Sequence, residues 1–151
     1  MMKSKLIFAV AALAMCLISC KSTEVDDEDY TEKALAQLIG EWQWVETRTN
    51  NPDYWETAEK TSINEVLRIS EDKSWSLSRN DTLISNGIVV KLFAQIDTVC
   101  TNGETFTYMK LHDDIAQQEI QRCYAITNDS LCTYYQPCVG GAIRKIWKKK
   151  K

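Results

Sequence analysis

Three adjacent residues, His112, Asp113 and Asp114, are the nearest thing in this sequence to an acid–base set. An imidazole beside two carboxylates could move protons to and from a substrate. His112 is also the only histidine in the chain. It closes a strand-like stretch and precedes a polar break, the setting of an ordinary solvated turn, so no catalytic residue is expected there. No second imidazole exists to activate a cysteine thiol, and no Cys-x-x-Cys pair exists to seed a zinc site. Neither metal nor cofactor is expected. Glycoside hydrolysis needs two carboxylates flanking one bond, and no two acids occupy neighbouring inward positions of the clear strands. Glu65 is the one acid set among inward apolar residues. It is either an outward side chain, which is the reading we prefer, or a polar contact inside a pocket. The chemistry points to a binding protein and away from an enzyme.

The amino terminus carries a different chemistry. Lys3 and Lys5 precede an uncharged apolar run over residues 6–18. That is shorter than the roughly 20 apolar residues of a membrane span and fits the about 7–15 residues of a secretory signal. Leu17, Ile18, Ser19 and Cys20 follow. This stretch resembles the lipobox of bacterial lipoproteins, where a small residue precedes a cysteine. The resemblance implies cleavage before Cys20, attachment of lipid, palmitate included, to its thiol, and acylation of the new amino terminus. Several acyl chains hold a protein durably, since each buried methylene is worth ~0.8 kcal/mol. Lys21 stands after the cysteine in place of an aspartate, which by the same resemblance implies sorting to the cell outer membrane of a Gram-negative bacterium. Glu24, Asp26, Asp27, Glu28 and Asp29 come next. Such a run stays solvated, as a flexible tether or as a tag for export to the cell surface.

Residues 1–19 are thus read as signal, 20–33 as lipidated cysteine and acidic tether, and 34–151 as one domain. Loss of the signal leaves 132 of 151 residues, enough for one compact core but hardly two. The four closing lysines are the only basic run, too short to indicate a nucleic-acid partner. Beyond Cys16 and Cys20, the cysteines are Cys100, Cys123, Cys132 and Cys138. An even number in an oxidising compartment reads as two disulfides. Four cysteines permit three pairings; one closes a short loop through Pro137 from Cys132 to Cys138 and leaves Cys100 to join Cys123.

The elements that must position these groups are mostly strands. Ala34, Leu35, Leu38 and Ile39 share one helical face over residues 30–39, with Asp29 and Glu32 as a capping pair and Gly40 as the stop. Strands are expected over 41–48, 63–70, 74–78, 82–94, 104–112, 119–126, 131–136 and 142–150, with a long loop after Asn50 and a bulge or bend at Gly87. Residues 74–78 alternate strictly, serines on one side and Trp75 and Leu77 on the other, as a half-buried strand does. About eight evenly spaced antiparallel strands can close on themselves and remove their edges. The expected fold class is therefore all-β, an up-and-down barrel with a short N-terminal helix.

Gly40-Glu41-Trp42, after a short helix, is similar to the Gly-x-Trp opening of lipocalin-type barrels, and residues 34–149 resemble bacterial lipocalin-like lipoproteins, including the Tyr124-Ala125-Ile126-Thr127-Asn128-Asp129-Ser130-Leu131 hairpin. In that pattern an arginine of the last strand packs on the tryptophan, a part that Arg144 could take. The resemblance implies a binder of a small apolar or amphipathic ligand. Trp42, Trp44, Leu67, Ile69, Trp75, Leu77 and Tyr124 are the residues expected to line its site. The aromatic set, with Tyr108 and Trp147, reads first as the core of a small barrel that fills its own interior, and second as the wall of such a site. The alternative is an interaction or structural protein that has no ligand cavity and presents loops such as residues 49–60 to a protein partner.

Overall fold

The computed structural model describes residues 28–97, 104–134 and 143–151. The signal, Cys20 and most of the acidic run lie outside the described residues, as do Cys100 and Cys138. Helix α1 (Glu28–Leu38) starts slightly earlier than its apolar rhythm and takes in residues counted as tether. Ala34, Leu35 and Leu38 are buried, as their shared face requires. Gly40 then turns the chain at φ +135°, where a side chain would be strained.

Strand β1 (Gly40–Arg48) follows, then β2 (Glu56–Thr57), β3 (Glu65–Ile69), β4 (Ser74–Arg79), β5 (Thr82–Asp97), β6 (Glu104–Asp113), β7 (Gln118–Thr127), β8 (Ser130–Tyr134) and β9 (Arg144–Lys149). Neighbours pair antiparallel in chain order from β3 to β9, with β1 beside β3. β9 returns to β1, with Trp147 opposite Trp44, and closes the sheet. The result is the expected all-β, eight-stranded up-and-down barrel; β2 is a two-residue addition to β1. The long loop has more structure than its sequence suggests. Asn51 Oδ1 accepts the Asp53 amide to start a 3-10 turn at Pro52–Tyr54, and Thr57 Oγ1 caps the one-turn helix α2 (Ala58–Thr61).

Alternation sorts the wall residues. Trp75 and Leu77 face inward beside Ile69 and Leu67, as the serine pattern indicates. Gly87 is not a bulge. It pairs in register with Trp75 and Asp113, and a Cβ there would meet the His112 carbonyl oxygen at 1.8 Å. The glycine marks a close strand approach, and the register shifts fall at Trp44/Glu46, Leu77/Ser78 and Val89/Lys91.

One end of the barrel is plugged. Trp42 is 1% exposed and its indole N–H donates to the Leu38 carbonyl at 2.8 Å, tying β1 to α1. The cation over its ring is Lys149, at 5.2 Å, and not Arg144. Register decides this: Trp42 pairs with Lys149, whereas Arg144 pairs with Arg48 and lies over Tyr134.

Candidate functional site: the barrel interior

A cavity of about 240 Å³ lies inside the barrel, with every barrel strand except β1 contributing to its wall. Leu67, Trp75, Leu77, Met109, Leu111, Ile120 and Trp147 supply apolar surface; Ser85, Asp113, Arg122, Thr133 and Lys145 supply polar groups. Trp75 is held by its indole N–H, which donates to the His112 carbonyl at 3.1 Å across the gap left by Gly87. Trp147 is held by its indole N–H on Thr133 Oγ1 at 3.2 Å.

Glu65 is 2% exposed and faces inward, so the preferred reading of it as an outward residue is corrected. Lys145 Nζ donates to its Oε2 at 2.7 Å and Arg79 Nε to its Oε1 at 2.8 Å. Burial alone would raise its pKa, but the hydrogen bonds from Lys145 and Arg79 outweigh that and hold it below the usual carboxylate range. A buried acid is tolerated because two cations meet it. Asp113 is the second inward acid. Ser85 donates to Oδ2, and the amides of Ile115 and Ala116 each donate to Oδ1 at 2.9 Å. The Ser85 hydroxyl, then the Ala116 amide, lower its pKa. His112 faces the other way, with Nε2 3.6 Å from Asp114 Oδ1. Asp113 is therefore turned into the barrel, whereas His112 and Asp114, the latter just past the end of β6, meet outside it.

Of the seven residues read as ligand-lining, Leu67, Trp75 and Leu77 border this cavity. Trp42, Trp44 and Ile69 belong to the same core cluster but do not border the cavity. Trp44 spends its indole N–H on Thr47 Oγ1 at 3.2 Å. Tyr124 borders a different hollow of about 590 Å³, between α1 and the ends of β6 to β8. Consecutive residues Thr105, Phe106 and Thr107 all border that hollow. Neighbours in a strand point to opposite faces, so it wraps strand ends and is not barrel interior. Sequence reasoning missed Met109, Leu111 and Ile120, although β6 alternates in Met109-Lys110-Leu111 as β4 does. It also missed Arg122 and Lys145, whose charge masks their inward phase.

Cys123 and Cys132 carry free thiols in the structure. The expectation of two disulfides is corrected to that extent; Cys100 and Cys138 lie outside the described residues. Cross-strand partners are Cys123 with Tyr134 and Cys132 with Ala125, so the two thiols share one face of the sheet as diagonal neighbours and are not directly opposed. Cys123 packs with Phe93 and Tyr108 in a separate cluster, and burial pushes its thiol up to about 11. Tyr108, in that cluster, belongs to the other face of the sheet.

Compared with known proteins, the chain matches no family model and no curated protein.

Proposed function

We propose that this protein is an outer-membrane-anchored, lipocalin-like lipoprotein that carries a small apolar or amphipathic molecule inside its barrel. The observation that carries the reading is the cavity itself, a hollow of about 240 Å³ in a barrel otherwise packed with tryptophan and leucine. Its size is just below the ~300–1,000 Å³ of pockets for drug-sized ligands, and its mixture of apolar wall and a few polar groups is that of a ligand site. The ligand is accordingly small. Membrane attachment is assigned to Cys20, on the strength of the lipobox resemblance and the uncharged run before it. The proposal involves no catalysis.

An uncharged naphthylamine probe added to the mature protein should quench Trp75 and Trp147 and bind one molecule per chain. Trp75→Ala should change the affinity. In a Gram-negative host the chain should take up labelled fatty acid and fractionate with the outer membrane, and Cys20→Ala should abolish labelling. A probe that leaves both tryptophans unchanged would reject the carrier reading.

A second reading is supported by exposed apolar groups. Tyr54, in the loop at 49–60, is 68% exposed, and Leu83, Ile88 and Val90 stand exposed along β5. Trp55 is fixed beside Tyr54 by Arg48, 5.0 Å over its ring, and by an indole N–H on the Thr49 carbonyl at 2.9 Å. A barrel using these as a platform would bind a protein partner and ignore the probe.

A further inference from the structure

We propose that the barrel interior selects amphipathic molecules with one anionic head, a carboxylate above all, received by Lys145, Thr133 and Arg122 while the tail lies on the opposite apolar wall. The inference rests on the carrier reading and adds the chemical class of the ligand.

The cationic donors are grouped on one side of the cavity, beside Ile120 and Trp147, and the larger share of the aliphatic surface lies across from them, beside Ser85 and Asp113. Leu67, Leu77 and Leu111 come from β3, β4 and β6, whereas Arg122, Thr133 and Lys145 come from β7, β8 and β9. Thr133 pairs directly with Lys145 and with Tyr124. Arg122 is the next inward position of β7 beyond Tyr124, so the three donors neighbour one another on one wall. Lys145 Nζ has three N–H donors. One meets Glu65 Oε2, and the shaft is steadied with Nζ 5.6 Å from the Trp147 ring. Two donors remain to share with a ligand. Thr133 Oγ1 already accepts from Trp147, which leaves its own O–H to donate.

The charge count favours the same sign. The charged residues that border the cavity are Arg122, Lys145 and Asp113. Arg122 also donates through Nη1 to the Gln121 carbonyl at 3.0 Å and Lys145 to Glu65, while Asp113 is already met by a hydroxyl and two backbone amides and Glu65 by two cations. A cationic head would have to break those contacts while lying beside Lys145 and Arg122. A carboxylate breaks none. Charge-assisted hydrogen bonds are about twice as strong as neutral ones.

The test is calorimetric titration of the mature protein with octanoate, octanol and octylamine, three probes of equal chain length. Octanoate should bind roughly tenfold more tightly than octanol, the size of one charge-assisted hydrogen bond, and octylamine most weakly. Lys145→Met should erase the octanoate preference and leave octanol binding in place. Arg122→Gln, which keeps Glu65 fully paired, should reduce the preference even if Lys145→Met fails to fold. Octanol binding as well as octanoate would overturn the head-group proposal and leave the carrier reading standing. A preference that survives Arg122→Gln and Lys145→Met would overturn it as well. Binding of none of the three would overturn both.

Discussion

Glu65 is buried with partners that lie 14 and 80 residues away in the sequence. Its phase with Leu67 and Ile69 was legible and pointed inward, yet an unpaired buried carboxylate is so costly that the outward reading was the better guess from sequence. Only the fold shows that Arg79 and Lys145 arrive beside it. Glu65→Gln should cost roughly 2–3 kcal/mol in urea denaturation, under the ~3–5 kcal/mol of fully buried pairs, because Arg79 is half exposed and can turn to solvent. The pH dependence follows from the lowered pKa of Glu65. Its contribution is complete above the ordinary carboxylate value of 4.5 and is lost as pH falls through the lower folded value. The Glu65→Gln protein should therefore lose less stability than wild type when both are acidified below that value. The cysteines give a second residue-level expectation. Half-buried Cys132 should react with iodoacetamide in the native protein at neutral pH. Cys123, 2% exposed and with its thiol pushed up to about 11, should react only after unfolding. Peptide mapping by mass spectrometry distinguishes the two.

Strand existence was well encoded because one face of each strand is wet and the other dry, as the serines opposite Trp75 and Leu77 show. Irregularities were not. The register shifts at Trp44/Glu46, Leu77/Ser78 and Val89/Lys91 carry no marker residue, whereas Gly87, which looks like one, sits in regular register. A strand glycine signals either a bulge or a close approach, and here the carbonyl of His112 occupies the space of a side chain. Gly87→Ala must push β5 from β6 and free the Trp75 indole from that carbonyl. We expect a loss of roughly 3 kcal/mol or more, at the upper end of overpacking effects, measured by chemical denaturation, with a change in near-ultraviolet dichroism reporting Trp75. The register of β1 against β9 also sets which cation meets Trp42. Lys149 opposes it by register, a pairing that lies beyond what strand alternation alone can give.

The closed barrel was legible from the count and spacing of strands, because eight antiparallel strands have few other ways to cover their edges. The hollow was not, since interior volume depends on how Trp44, Trp75 and Trp147 turn within the wall. Trp42 belongs to closure: it joins α1 to β1 through the Leu38 carbonyl beneath Lys149. Trp42→Ala should lower stability by ~3–5 kcal/mol while leaving probe affinity in the folded fraction unchanged, since Trp42 does not border the cavity. Leu77 does border it and is only half buried, so a larger side chain there can grow into the hollow. The central claim, that a ligand occupies the barrel interior, is tested most directly by calorimetric titration of an uncharged naphthylamine probe into wild-type and Leu77→Trp protein of matched folded fraction. The account predicts one probe per wild-type chain and an affinity at least roughly tenfold weaker in the filled variant, a change of about 1.4 kcal/mol. Equal binding by the two proteins, or no binding by the wild type, would contradict it.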